Sequence, residues 1–199
     1  MKKLLYTLLV VSLIFSACEE EDTAPTNSGN NNNNNNNTVS KTYVPGDGFE
    51  QYLIDNGYDD VLDDSVLTTN INTISSLGIP PNTVSDLTGI EDFSALYDLF
   101  CPENPITYLD LSNNTNLESL NVYECNLYYL DLSNGNTGAD GWISGPGMSV
   151  IAGFNYNLTC VGVDNVDWAN FWLLNNGGGP GTSNNYYFYP EPVFSTLCN

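Results

Sequence analysis

The sequence predicts a solenoid built mostly of short β-strands and turns, with a capping helix at its N-terminal end and a disulfide-closed cap at its C-terminal end. Three observations carry this expectation. Leu96-x-x-Leu99-x-Cys101-x-x-Asn104-x-Ile106 returns as Leu117-x-x-Leu120-x-Val122-x-x-Cys125-x-Leu127 after 21 residues. Tyr108-Leu-Asp-Leu-Ser-Asn113 returns as Tyr129-Leu-Asp-Leu-Ser-Asn134, again after 21. Two cysteines, Cys160 and Cys198, bracket the segment that follows the last repeat.

The L-x-x-L-x-L-x-x-N/C-x-L spacing at a fixed period in the twenties is that of leucine-rich repeats, whose stacked coils build binding surfaces rather than active sites. Within each unit the apolar positions alternate as in a strand, so Leu120 and Val122 point inward while Ser119, Asn121 and Tyr123 point outward. An Asn at the bend can bond buried backbone groups. Cys125 stands at the same place as a small residue that fills space. Ile106-x-x-Leu109-x-Leu111-x-x-Asn114 repeats the spacing in the other half of the coil, so that half is expected to be strand and turn rather than helix.

Taken in order, the elements begin with Met1-Lys2-Lys3 and an apolar run to Phe15, too short for an ordinary membrane span. Phe15-Ser-Ala-Cys18 resembles the bacterial lipobox, which implies a signal peptide over residues 1–17 and lipid attachment at Cys18. A lipid with more than one acyl chain anchors stably, at about 0.8 kcal/mol per buried CH₂. The acidic cluster Glu19-Glu-Glu-Asp22 resembles the export signal of Bacteroidetes lipoproteins, implying the outer face of the outer membrane. Residues 18–41 are expected to form an acidic, then Asn-rich disordered tether, because nothing in residues 27–38 offsets the entropy of ordering.

A helical cap is expected over residues 42–70. There Asp47-Gly-Phe-Glu50 has the spacing of a capping box, Phe49 and Leu53 share a face, and Gly57 is the stop. The run Asp55, Asp59, Asp60, Asp63, Asp64 lacks the alternating ligands and turn glycine of a calcium loop, so a solvated edge is the better reading, with calcium open. Coils follow over residues 71–159. Ile74-x-x-Leu77-x-Ile79-x-x-Asn82-x-Val84 opens them, and a Gly-rich insertion at 135–147 interrupts them. Residues 160–199 form the C-terminal cap, in which Cys160 and Cys198 are expected to pair and Trp168 and Trp172 to fill the core. Cys101 and Cys125 are expected as buried thiols.

Charge narrows the function. All 24 acidic residues follow Cys18, and removal of the leader leaves Lys41 as the one base, with no Arg and no His. Nucleic-acid binding is excluded, since nothing would neutralise phosphates. Catalysis built on His is excluded too. No cofactor or metal is expected, and the chain does not read as an enzyme.

The combination is recognisable. Thr42-Tyr-Val-Pro45, Phe49-Glu-Gln-Tyr-Leu-Ile-Asp55, Gly57-Tyr-Asp-Asp-Val-Leu-Asp63, Asp86-Leu-Thr-Gly-Ile-Glu-Asp-Phe93, Leu109-Asp-Leu-Ser-Asn-Asn-Thr115 and Asn157-Leu-Thr-Cys160 through Cys198 resemble flavobacterial leucine-rich repeat surface proteins. That resemblance implies interaction or adhesion and carries no catalytic residues. The expected function is a cell-surface lipoprotein that binds a protein or a surface polymer, with the lipid as its only membrane contact. The outward strand positions would carry binding: Asp98, Phe100 and Pro102, then Ser119, Asn121 and Tyr123, then Ser149, Ile151 and Gly153, with Phe100 and Tyr123 as anchors. Tyr108, Asp110, Tyr129 and Asp131 form a second outward ladder. The alternative is a glycan-binding lipoprotein using exposed tyrosines, to which Tyr186-Tyr-Phe-Tyr189 would add aromatic surface unless they form a strand of the C-terminal cap.

Overall fold

A computed structural model describes residues 39–136, 148–167, 169–170, 186–188 and 192–198. The leader, Cys18, the acidic cluster and the Asn-rich stretch lie outside the described residues. So do 137–147 of the Gly-rich insertion, Trp168, Trp172 and Tyr189. The chain divides into two units, Met1–Asn37 and Thr38–Asn199, and every described residue belongs to the second.

Strand β1 (Lys41–Tyr43) pairs antiparallel with β2 (Ser65–Leu67), and helix α1 (Asp47–Asp55) lies between them in the chain. α1 buries Phe49 and Leu53, the two residues its spacing predicts. It stops at Gly57 as expected: φ there is +76°, Tyr58 N–H donates to Leu53 O and Gly57 N–H to Ile54 O, the two bonds of a Schellman ending. Its start differs from the expected capping box. The N-cap is Gly46, with no side-chain capping bond, and Asp47 is already inside the helix. Glu50 turns away from the helix end and is fully buried; its Oε1 accepts the backbone N–H groups of Asp63 and Ser65 at 2.8 and 3.0 Å. Buried donors in the loop gain more from a carboxylate than helix N–H groups that water can reach.

After the short helix α2 (Thr68–Ile71) the chain winds alternately through two parallel sheets. The first contains β3 (Ser76–Gly78), β4 (Asp98–Phe100), β6 (Ser119–Asn121), β8 (Ser149–Ile151) and β10 (Tyr186–Tyr187). The second contains β5 (Tyr108–Asp110), β7 (Tyr129–Asp131), β9 (Cys160–Gly162) and β11 (Val193–Ser195). The 21-residue period is one circuit of both sheets: Leu99 pairs with Leu120 in the first, and Leu109 with Leu130 in the second. Central strand residues Leu77, Leu99, Leu120, Val150, Leu109, Leu130, Val161 and Phe194 are buried in one apolar core. The second half of the coil is therefore strand and turn, as the repeated spacing predicts.

Buried asparagines close the bends. Asn104 Oδ1 accepts from the backbone N–H of Thr83 and Val84, one coil back, and its Nδ2 donates to the carbonyls of Pro80, Cys101 and Pro102. Asn155 does the same for Cys125 and Leu127 N–H and for the carbonyls of Val122 and Ala152. On the other bend Asn114 Nδ2 reaches Ile90 O at 2.8 Å. Cys125 does more than fill space: its Sγ donates to Cys101 O at 3.1 Å. The residues just before these positions, Glu103, Glu124 and Phe154, adopt positive φ, which turns the chain inward at a cost of about 1–2 kcal/mol each.

The first coil departs from the pattern. Leu77, Ile79 and Val84 are buried as spaced, but Asn82 is exposed at φ 57°, because no preceding coil offers groups for it to bridge. Its second half has no strand; a turn stabilised by Asp86 leads into a 3-10 helix (Ile90–Asp92), so β5 is the edge of the second sheet. At the far end Cys160 and Cys198 form a disulfide, 38 residues apart in sequence, with Cα atoms separated by 5.8 Å. Closing a loop of that length stabilises the fold by about 4 kcal/mol on the chain-entropy model. Of residues 186–189, read either as aromatic surface or as a strand of the cap, Tyr186–Tyr187 form a strand and Phe188 is buried edge-on against Phe194.

Asn155→Ala would strand two buried N–H groups and two buried carbonyls, and should lower unfolding free energy by roughly 3–5 kcal/mol. Asn116→Ala, which removes one exposed bond to Ser94 O, should cost under about 1 kcal/mol. Urea denaturation of the two variants separates the expectations.

Candidate functional site

In-register pairing fixes which side chains are neighbours on each face. On the first sheet, Ser76, Asp98, Ser119 and Ser149 form one row, and Gly78, Phe100, Asn121 and Ile151 the next. Ser76 Oγ donates to Asp98 Oδ2 at 3.2 Å. Asp98, Ser119, Asn121 and Ile151 are half-buried, whereas Phe100 is 48% exposed. It stands between a glycine and an asparagine and makes no ring contact among the described residues.

Tyr123 sits elsewhere. Its ring meets Phe154 edge-on at 5.1 Å, and Phe154 in turn meets Tyr156 at 5.9 Å. It belongs to an aromatic cluster at the bend, with its N–H held by Asn121 Oδ1. Pro102 and Gly153, expected to point outward, are buried. Alternation continues through buried Cys101, Val122 and Ala152 and leaves Tyr123 half-buried; it breaks at Pro102 and Gly153, where positive φ at the next residue, Glu103 or Phe154, turns the chain in.

The second sheet carries the other ladder. Tyr108 and Tyr129 stack with centroids 4.3 Å apart and planes within 4°. Tyr128 lies tilted at 6.4 Å from Tyr108. Tyr129 Oη donates to Asp131 Oδ2 at 3.1 Å; burial first, then the Asp131 charge, pushes its phenol well above the ordinary range. Asp110 and Asp131 are register partners, and each is turned aside by a backbone N–H two residues on, Ser112 and Ser133.

Where the first coil lacks a strand, a cleft of about 550 Å³ opens beside β5. Asp86, Thr88 and Glu91 line one side; Tyr108, Asp110 and Asn113 line the other. Sequence reading missed this cleft. Its signal was the spacing Val84-x-x-Leu87-x-x-Ile90-x-x-Phe93, which steps by three where a strand steps by two.

The aspartate run after α1 is mostly exposed. Asp63 accepts Ser65 Oγ and pairs with Lys41 at 3.3 Å, and those contacts, the Ser65 bond first, hold its carboxyl below the usual range. No three acidic, His or Cys side chains converge as a metal cage among the described residues. Cys101 and Cys125 are free and buried. Burial raises both thiols: Cys101 far above its usual value, and Cys125 up to about 11 despite the backbone N–H groups of Asn104 and Glu103. Neither is a nucleophile at neutral pH.

The Cys125 shift has a definite sign. Its thiol ionises near 9.0 in the unfolded chain and near 11 in the fold. Unfolding therefore releases a proton between those values, so the stabilising contribution is whole below pH 9 and is lost as pH rises to about 11. Denaturation midpoints should fall over this window, and less steeply in Cys125→Ala. A thiol reagent at pH 8 should label neither thiol until the chain unfolds.

No family model and no curated protein matches the chain. Among solved structures, the functional domain of InlJ from Listeria monocytogenes, which includes a cysteine ladder, is similar at 19% identity with a TM-score of 0.37. The match covers 62% of this chain and 38% of that one, so this chain spans well under half of that structure's length.

Proposed function

We propose that this chain is a leucine-rich repeat lipoprotein of the cell surface, anchored in the outer membrane through Cys18 and facing outward. It binds a protein or surface polymer on the outer face of the first sheet and performs no catalysis. The observation that carries the reading is Phe100: a large apolar side chain, 48% exposed, in a row laid down by parallel pairing, one strand in from the edge of the first sheet. Aromatic side chains are enriched at interfaces relative to the rest of the surface. Asp98, Ser119, Asn121 and Ile151 supply the surrounding contacts, and Tyr123 supports the adjoining bend. With 24 acidic residues against Lys41 in the mature chain, a basic partner would be drawn in and released by salt.

The test is retention from cell-envelope extracts by the immobilised full chain, beside Phe100→Ala and Tyr123→Ala. The wild type should hold a discrete partner that Phe100→Ala loses by about thirtyfold or more, with Tyr123→Ala less affected. Equal retention by all three would end the assignment of this face.

The anchor is checked separately. Cys18→Ser should move the protein from the membrane fraction to the soluble fraction of the envelope, because a leader alone supplies no acyl chain. Membrane retention of that variant would remove the lipid from the account.

A further inference from the structure

We infer that the cleft beside β5 is a binding site for a neutral oligosaccharide built of hexose units. It lies on the second sheet, away from the Phe100 face, and stands independently of the function proposed for that face. Tyr108 provides the platform. One face of its ring is covered by Tyr129 of the neighbouring strand, stacked within 4°. The cleft lies on the opposite side of β5, and Tyr108 both lines it and remains 51% exposed. A ring held flat in this way offers an apolar surface to the C–H face of a sugar and loses little freedom on binding.

The polar groups around it are already oriented. Asp86 Oδ1 accepts from Thr88 N–H and Oγ1 at 2.8 and 2.7 Å, Glu91 Oε2 from Gly89 N–H at 2.9 Å, and Asp110 Oδ1 from Ser112 N–H at 2.9 Å. The second oxygen of each carboxylate takes no hydrogen bond from the described residues, so three fixed acceptors border the cleft. Asn113 adds a side chain that both donates and accepts, and Thr88 Oγ1, whose proton goes to Asp86, adds a further acceptor.

That mixture selects the ligand. Sugar hydroxyls donate and accept at once and match it. A cation would use only the acceptors and leave the Asn113 donor idle. An anionic glycan is repelled, since no Lys or Arg lines the cleft and Lys41 is engaged by Asp63. The volume, about 550 Å³, falls within the range of small-molecule clefts and holds a short oligosaccharide.

The test uses the full chain in detergent, titrated by calorimetry with maltohexaose, cellohexaose and mannohexaose; polygalacturonate and pentalysine serve as anionic and cationic controls. At least one neutral hexasaccharide should bind, and Tyr108→Ala and Asn113→Ala should each weaken it by about tenfold or more. Both residues are exposed, and unchanged circular dichroism and melting temperature would show that the fold is kept. Phe100→Ala should bind the sugar as the wild type does. No binding of any neutral hexasaccharide at millimolar concentration overturns the proposal. Unchanged binding in the Tyr108 and Asn113 variants, or preferential binding of pentalysine or polygalacturonate, overturns it as well.

Discussion

The constraint on which this structure rests is that every bend must bury backbone polar groups and still satisfy them. An asparagine side chain meets it from both sides at once, since its carbonyl takes N–H groups and its amide serves carbonyls. Asn104 and Asn155 each bind two N–H groups of the coil before and carbonyls of their own bend. The backbone ladder runs past the three-residue strands, with Cys101 N–H on Asn121 O and Glu103 N–H on Tyr123 O, and holds the register from coil to coil. The asparagine bridges tie the same coils together at the bend, where that ladder ends. Where Cys125 replaces the asparagine, one weak thiol proton stands between Cys101 O at 3.1 Å and Tyr123 O at 3.6 Å, and Ile106 N–H turns to Asn104 O within its own bend.

Strict register has a price at the surface, since residues one period apart become direct neighbours. Two aspartates, Asp110 and Asp131, are brought side by side on the second sheet, a pairing that like charges disfavour. Their separation is built from local bonds: each carboxylate is drawn along its own strand by the N–H two residues on, and Asp131 also takes the Tyr129 hydroxyl. The next strand then has to make room. Gly162 stands opposite Asp131, and a Cβ there would run into the Asp131 carboxylate. The same register that sets acids against each other sets Tyr108 on Tyr129, so charge and stacking on this face have one origin.

How much of this was legible in the sequence depends on range. Leu99, Leu109, Leu120 and Leu130 were readable as core because inward pointing is a local, period-two property that repeats. The Cys160–Cys198 pairing was readable from position alone. What failed required knowing where a strand stops or what a side chain meets across the fold. Pro102 and Gly153 were extrapolated outward into bends that the sequence does not mark. Glu50 has the spacing of a helix cap, yet its carboxylate is claimed by Asp63 and Ser65, whose proximity is a tertiary fact. The cleft was hidden for a different reason: it is made by the absence of a strand, and an apolar pattern reports only what is buried.

Capping and cleft formation are one event at this end of the stack. A continued second sheet would present β5 to a further strand, and an open edge invites pairing with another chain. The first coil replaces that strand with a turn and a 3-10 helix, whose Leu87, Ile90 and Phe93 enter the core while Asp86, Thr88 and Glu91 face the cleft. Phe93 in turn packs against Phe49 of α1, with ring centroids 5.8 Å apart. The wall of the cleft is thus positioned by the cap helix, through core contacts rather than through the residues that line it. Asn114 completes the connection: it follows Asn113 of the cleft and holds the Ile90 carbonyl at 2.8 Å, fixing the two sides of the cleft to each other. Cap, bend and cleft are therefore tied together, through core contacts on one side and the Asn114 amide on the other.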